Sequence, residues 1–426
     1  MSFQGGLVGT NLLHALTVGV VLFSVTVPLV LRIAFREQRP WLVPLLLGSL
    51  GLHFLGSFLQ ILVVRLYYDN SADFHLYNGA GRDLLAAWSS GDLVVPHHDI
   101  PGTGAVILIT ALVYAVAGVD QLGGFFVFSW FSFLGLIAFY RAFRVALPQA
   151  FGTRYAVILF LLPSLWYWPT VSGKEALMMP ALGLMALGCA HLTKGVYRGA
   201  VPLLLGSVLG CLIRPHEVAM VYGAFGVAVL VRRGRRTLAA PVARVAIALM
   251  ICSVGVALAI FTARYLGITS LSSQAVVTAV NNANENSQGI GAGYGSSHSE
   301  WNISPLYYPY DVVLVLFKPL PWEVTSFSQA TAALENLSLL GLFALSWRSL
   351  LAVPGMLRGS PYVTLCLVYS VGFTYLFSAL ANVGLLVRER TLLFPFLLVL
   401  LCLRPWGTPR AAERARPELG ASVRGR

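Results

Sequence analysis

The chain has 426 residues, of which 57% are apolar and only 11% are charged, and its mean hydropathy is +0.76. These values exclude an ordinary soluble domain and indicate an all-α polytopic membrane protein. The net charge of +12 would suggest nucleic acid as a partner of a soluble protein. Here the rules of membrane orientation explain that charge, so the predicted partner is the lipid bilayer and no nucleic acid is expected.

Apolar segments follow one another along residues 1–408 and predict a single integral membrane domain. A helix needs about 20 apolar residues to cross about 30 Å of hydrocarbon. This length and the charge of the loops together predict about eleven transmembrane helices. The predicted crossings are 12–33, 41–64, 121–140, 154–168, 176–193, 200–213, 217–231, 244–264, 328–347, 361–381 and 391–404.

Two further apolar stretches, 103–118 and 312–317, would break the alternation of inner and outer loops if they crossed the bilayer. Both are therefore predicted to lie in the outer interface of the membrane. For 103–118 the alternative is a real crossing with a local exception to the charge rule.

The basic residues predict the orientation of the chain. Their clusters lie at 32–39, 141–154, 194–198, 232–244, 348–358 and from 404 onward. The positive-inside rule assigns these clusters to the cytoplasm, so the amino terminus is expected outside and the carboxyl terminus inside. The outer loops are then 65–102, 265–327 and 381–390, and the arginine-rich cytoplasmic tail 409–426 is predicted to be disordered. The Gly-, Ser- and Asn-rich part of 265–327 is interpreted as a mobile lid or as a connector without function.

The stretch SADFHLYNGAGRDLLAAWSSG, residues 71–91, follows the second predicted crossing directly. Ser71 is a plausible N-cap and Gly91 a plausible C′ residue, so a helix is predicted over 72–90, outside the bilayer core. Asp73 falls in its first turn, where a carboxylate complements the helix dipole. The functional alternative is that Asp73 is held ionised there as a proton acceptor, with Asp69 one turn earlier as a second carboxylate.

The sequence DFHLYNGA at 73–80, with Gly91-Asp92 and Pro96 after it, resembles the first outer loop of the GT-C glycosyltransferases. The closest resemblance is to the branch with the protein O-mannosyltransferases and the lipid A aminoarabinose transferase. It covers residues 69–120 and implies a GT-C-like fold with interfacial helices on the outer face.

In that family the acidic residue of this loop is catalytic, so the resemblance implies that Asp73 is the catalytic residue. His75 and Tyr77 lie beside it in the same motif and are candidate substrate-binding or supporting residues. Phe74 stands where the family's second acid usually is, and HHDIP at 97–101 replaces a common Pro-Pro. These departures leave the metal open: no cofactor is required by the pattern, and a divalent cation is the one candidate.

Two further outer segments carry charge at helix ends. In PSLWYWPTVSGKEALMMP, residues 163–180, Lys174 could meet a lipid-linked phosphate while Glu175 orients it, or Lys174 could snorkel to the headgroups. In IRPHEV, residues 213–218, the polar residues form a predicted tight turn that is either a binding site or a structural hairpin. Its candidate residues are Arg214, His216 and Glu217.

The last outer segments place cations and acids beside aromatic residues. LFKPLPWEV contributes Lys318 and Glu323 as supporting candidates. The loop NVGLLVRERTLLFP brings in Arg388 and Arg390, which are predicted at the outer surface as phosphate ligands together with Lys174 and Arg214. The alternative for both arginines is pairing with outer carboxylates.

KEAL, RPHE, KPLPWE and the RER loop resemble segments of bacterial membrane proteins from cell-surface polysaccharide gene clusters. Some of those proteins are glycosyltransferases and others are repeat-unit polymerases. The chain also lacks nucleotide-sugar and nucleotide-binding signatures. The prediction is therefore a glycosyltransferase of the bacterial plasma (inner) membrane, with a polyprenyl-phosphate- or diphosphate-linked sugar as donor and a glycan or lipid-linked acceptor. The alternatives are an oligosaccharide repeat-unit polymerase and a transporter or flippase for a lipid-linked or anionic substrate.

Overall fold

The computed structural model describes residues 11–67, 72–96, 100–232, 239–265, 305–324, 327–380 and 382–404. Short 3₁₀ turns connect some of the α-helices. The α-helices are α1 Leu12–Glu37, α2 Leu42–Tyr67, α3 Asp73–Ser89, α4 Thr103–Ala117, α5 Gln121–Ala146, α6 Gly152–Leu161, α7 Pro163–Tyr167, α8 Lys174–Thr193, α9 Ala200–Ile213, α10 Pro215–Val231, α11 Ala239–Tyr265, α12 Tyr308–Phe317, α13 Phe327–Leu345, α14 Trp347–Met356, α15 Pro361–Phe377, α16 Val383–Glu389 and α17 Phe394–Leu401.

The structure is that of a helical membrane protein, but it does not establish eleven crossings. In the described part of the chain, four helices are long and apolar enough to span a membrane, namely α1, α2, α5 and α8. Helices α13 and α14 form a fifth span if this pair, bent by 61°, is counted as one. The other apolar helical stretches of the described chain, including Leu249–Leu258 of α11, have 10–17 residues, so the full number of crossings stays a prediction.

Helix α5 packs against α1, α2 and α8 at the centre of the bundle. Its closest approach to α8 depends on two glycines. A Cβ atom at Gly135 would lie 2.5 Å from the backbone of Met179, and one at Gly183 would lie 2.4 Å from the Gly135 carbonyl oxygen. Small residues let membrane helices pack backbone to backbone, so this contact fixes α8 against the core.

The predicted single helix over 154–168 is interrupted. Pro163 starts the short helix α7, and Pro169 has a non-helical backbone in the 3₁₀ turn that follows. A side chain of α2 satisfies carbonyl groups that the break leaves free. Gln60 Nε2 donates to the carbonyl oxygens of Tyr167 and Trp168, at 2.6 and 3.1 Å. Broken helices survive at membrane depth only when such partners satisfy the freed backbone groups.

Helix α3 confirms the predicted helix over 72–90 to within one residue at each end. The N-cap differs from the prediction: it is Ala72, without a side-chain cap, and Ser71 lies outside the described residues. Gly91 has a φ of +92°, which confirms its C′ position. The stretch 103–118 is helical as α4 and packs on α3, and 312–317 belongs to α12. Their interfacial position stays a prediction.

Helices α8, α10 and α15 run between the same two ends of the bundle. At one end Arg214, just before α10, contacts Glu175 of α8, and His216 faces Phe377 of α15. At the other end these helices border a shared cavity. Because α8 has 20 residues, the ends are separated by about 30 Å, the thickness of the hydrocarbon layer. We call the end with Arg214 and His216 the site end and the end with the shared cavity the far end.

Candidate functional site

Four chain segments bring charged residues together at the site end. They are the start of α3, the start of α8, the turn between α9 and α10, and the end of α16. Five of these residues form a continuous series of contacts with alternating charge, which we call the ion-pair chain: Asp73, Arg388, Glu175, Arg214 and Glu389.

Arg388 links the two helix N-termini. Its Nη1 donates to Asp73 Oδ2 at 2.9 Å, and its Nε lies 2.9 Å from Glu175 Oε2. The second contact is an ion pair without hydrogen-bond geometry, since Nε has no hydrogen-bond partner in the described part of the chain. Arg388 thereby holds α3 and α8 in one arrangement.

Arg214 occupies the turn between α9 and α10. Its Nη2 donates to Glu175 Oε1 at 2.8 Å and to Glu389 Oε1 at 2.5 Å. Its Nη1 donates to the second oxygen of Glu389, so this contact is bidentate. The local cause is Pro215, which occupies the first turn of α10 and leaves Arg214 outside both helices. The predicted tight turn is confirmed, and its tip is buried.

Exposure is concentrated at one end of the ion-pair chain. The side chain of Asp73 is 38% exposed and that of Arg388 is 23% exposed, whereas Glu175 and Glu389 are 3% and 5% exposed. A substrate can therefore reach Asp73 and Arg388. Arg214, Glu175 and Glu389 are buried against one another, and the role of Arg214 as a phosphate ligand stays a prediction.

Lys174 adds a cation that has no ion pair or hydrogen bond among the described residues. It precedes Glu175 at the start of α8, is half-buried, and lies within electrostatic range of Arg214 and Glu389. An ammonium group in this position is available to an anionic ligand.

Tyr77 is buried one turn after Asp73 on α3. Burial raises the pKa of Tyr77 to about 12, and the negative charges of Asp73 and Glu175 add to this shift. The phenol stays protonated at neutral pH and keeps a hydrogen to donate. Glu217 is also buried at the site end, where one of its oxygens accepts from the Tyr369 hydroxyl at 2.7 Å.

The prediction that Arg390 lies at the surface is wrong. Arg390 is fully buried, and its Nη1 donates to the carbonyl oxygens of Leu316 and Lys318, both at 3.1 Å. Its Nη2 donates to Asn336 Oδ1 at 2.6 Å. Arg390 therefore ties the end of α12 to α13, and its role as a phosphate ligand stays a prediction.

We expect Arg390→Lys to lower the free energy of unfolding by about 1.5–3 kcal/mol, because an ammonium cannot keep all three of these charge-assisted bonds. Thermal denaturation of the solubilised chain would measure the loss. Activity per folded molecule should stay unchanged. A normal melting temperature together with lost activity would return Arg390 to the ligand-binding residues.

The other predicted residues make no ion pair with the ion-pair chain or lie beyond the described ranges. Lys318 and Glu323 pair with each other at 3.3 Å. His75 is exposed and faces the ring of Phe74, and His216 faces Phe377 at 6.3 Å. Asp69, residues 97–99, most of the predicted lid (266–304) and the tail from 405 lie outside the described residues.

Sequence reasoning missed two residues that organise the site. Glu389 lies between the two candidate arginines in the sequence, and it holds Arg214 bidentately. Asn78 Oδ1 accepts from the hydroxyls of Tyr114 and Ser172, at 2.8 and 3.0 Å, and so joins α3 to α4 and to the segment before α8. The sequence feature that could have identified Asn78 is its position one turn after Phe74 in the polar stretch of α3.

Comparisons with known proteins identify no relative: no family model, no curated protein and no solved structure matches the chain. Within the described ranges, no group of three or more His, Cys, Asp or Glu side chains is arranged to hold a metal ion.

Proposed function

We propose that the protein is a membrane glycosyltransferase that transfers a sugar from a polyprenyl-phosphate or polyprenyl-diphosphate donor at the outer face of a bacterial plasma membrane. The observation that carries this proposal is the direct contact between Asp73 and Arg388, the two exposed members of the ion-pair chain. It supplies a carboxylate base and a phosphate ligand within reach of one substrate.

The desolvation cost of buried ions indicates that the ion-pair chain serves a function and not the stability of the fold. Burying an ion pair in an apolar bundle gains little, because the cost of desolvation offsets the attraction between the charges. Hydrophobic residues would stabilise the same helix ends at lower cost. Ionisable groups concentrated at one end of membrane helices mark a site for a polar substrate.

In the proposed reaction, the acceptor hydroxyl attacks the anomeric carbon of the donor sugar. The new bond to the acceptor oxygen forms as the bond to the phosphate oxygen breaks, and the hydroxyl proton passes to Asp73. Negative charge grows on the leaving phosphate, where Arg388 and Lys174 stabilise it. A single displacement of this kind inverts the configuration at the anomeric carbon.

An apolar cavity beside the ion-pair chain fits the lipid part of such a donor. It has a volume of about 300 Å³ and lies between α2, α7 and α13, with Leu59, Trp166 and Ala332 in its walls. Val387, the neighbour of Arg388, also lines it. An isoprenoid chain in this cavity would leave its phosphate next to the Arg388 guanidinium.

Arg388→Lys and Lys174→Gln test the phosphate contacts. We expect Arg388→Lys to lower turnover about 10- to 100-fold, because an ammonium cannot bind two phosphate oxygens in a planar fork. Lys174→Gln should mainly raise the KM for the lipid-linked donor. The measurement is transfer of a labelled sugar from the polyprenyl-linked donor by the purified chain.

Lys318→Gln is the matched control, since Lys318 pairs with Glu323 and forms no ion pair with the ion-pair chain. Its kinetics should equal those of the wild type. Equal losses in Lys174→Gln and Lys318→Gln would point to a general effect of surface charge, and unchanged kinetics for Arg388→Lys would remove Arg388 from the mechanism.

A further inference from the structure

A second cavity, of about 620 Å³, lies at the far end of the bundle. Its walls come from the ends of α5, α8, α10 and α14 and the start of α15. Three basic residues line it, Lys194, Arg232 and Arg404, and no Asp or Glu is among its lining residues. We call it the basic cavity. A concave surface with charge of one sign concentrates ions of the opposite sign.

Basic residues elsewhere at the far end have different surroundings. Arg144 pairs with Glu37 at 2.7 Å. Lys194, by contrast, is exposed and has no ion-pair partner in the described ranges. Arg404 lies with Cζ 5.5 Å from the ring centre of Phe151, and its buried Nε has no hydrogen-bond partner among the described residues. The ring orients the guanidinium without neutralising its charge.

The start of α15 adds to the positive potential. This 17-residue helix begins at Pro361 in the wall of the basic cavity, and Ser360 before it provides no side-chain cap. The amino-terminal end of a helix carries partial positive charge and favours phosphate groups. Helix dipole and basic side chains therefore act in the same direction.

The remaining walls combine apolar surface with a position at headgroup depth. Leu147 and Met356 line the cavity beside the cations. The far end is about 30 Å from the ion-pair chain, so the two ends correspond to the two surfaces of one bilayer. A soluble anion would need no apolar wall, whereas a membrane lipid presents a phosphate and a glycerol–acyl region together.

We propose that the basic cavity binds the headgroup of an anionic phospholipid. The phosphate lies among Lys194, Arg232 and Arg404, and the glycerol region contacts Leu147 and Met356. This binding is independent of the proposed glycosyl transfer, because it involves the opposite end of the bundle and none of the residues of the ion-pair chain.

The experiment titrates phosphatidylglycerol into the full-length chain in detergent and follows its melting temperature, with phosphatidylcholine and inorganic phosphate as the other two ligands. We expect saturable stabilisation by phosphatidylglycerol alone. Lys194→Gln should weaken it about fivefold, and Lys194→Gln with Arg404→Gln about 10- to 30-fold. Because Lys194 is exposed, the single variant should fold normally even if the double variant does not.

Arg198→Gln is the matched control, an exposed basic residue four positions along that does not line the cavity. It should bind phosphatidylglycerol like the wild type. Equal weakening by Arg198→Gln would show general surface attraction and overturn the site. Stabilisation by phosphatidylcholine as strong as by phosphatidylglycerol would overturn its charge selectivity. Displacement of the lipid by inorganic phosphate would assign the cavity to a soluble anion instead.

Discussion

Asp73→Asn is expected to abolish sugar transfer while the chain folds and enters the membrane normally. Asparagine keeps the size of the side chain and can still accept a hydrogen bond from Arg388, but it cannot take the proton of an acceptor hydroxyl. General-base catalysis contributes about 10²- to 10⁴-fold to a reaction rate, so the rate of sugar transfer should fall by about that factor. Binding of the lipid-linked donor should change much less than turnover.

Asp83→Asn provides the control for this variant. Asp83 is an exposed carboxylate on the same helix α3, and it belongs to no ion pair in the described part of the chain. Its replacement should leave transfer at the wild-type rate. A fully active Asp73→Asn enzyme would exclude Asp73 as the base, whereas a loss in Asp83→Asn as well would point to helix α3 as a whole.

Arg214→Gln is expected to cause the largest loss of stability, about 3–5 kcal/mol. It would leave Glu175 and Glu389 buried side by side without the guanidinium that both of them contact. An unpaired buried charge is far more costly than the pair itself is favourable. The measurement is the melting temperature and the yield of folded, solubilised chain.

A second substitution distinguishes lost charge balance from lost packing. Glu175 keeps its ion pair with Arg388, so adding Glu389→Gln to Arg214→Gln removes the carboxylate that has lost its partner and should restore part of the stability. Arg144→Gln is the control, because its pair with Glu37 is about one-fifth exposed and should contribute at most about 1 kcal/mol. If Arg214→Gln and Arg144→Gln cost the same, Arg214 does not organise the site.

Local sequence signals predicted the elements of the site well. Pro215 marked the turn that carries Arg214, and Gly91 marked the end of α3. Charges at helix ends also identified Asp73, Glu175 and Arg388 as candidates before any contact was known. These features depend on residues within one or two turns of each other, which is the range over which sequence pattern determines conformation.

The pairing of those residues could not be predicted. Arg388 meets Asp73 across 315 positions, and Arg214 meets Glu389 across 175. Arg388 and Arg390 show the limit most clearly. Successive helical residues are about 100° apart, so residues two apart point in nearly opposite directions. Arg388 therefore reaches the ion-pair chain, and Arg390 is buried toward α12 and α13.

The short length of the predicted crossing at 154–168 suggested a tilted or broken end, but hydropathy did not locate the break at 163–170. The run from 154 to 168 is apolar enough to read as one crossing. Pro163 and Pro169 mark the break locally, but its freed carbonyl oxygens accept from Gln60 and Ser57 of α2. Partners so far away in the sequence leave no signal in a sliding window.

The most direct test is mass spectrometry of polyprenyl-linked saccharides from cells that carry either the wild-type chain or Asp73→Asn as their only copy. Loss of the base predicts that a polyprenyl-linked sugar accumulates in the variant and that the matching glycosylated product disappears. Accumulation of one complete repeat unit would assign the transfer to polymerisation. Identical lipid-linked pools in the two strains, with equal amounts of folded protein, would contradict glycosyl transfer by Asp73.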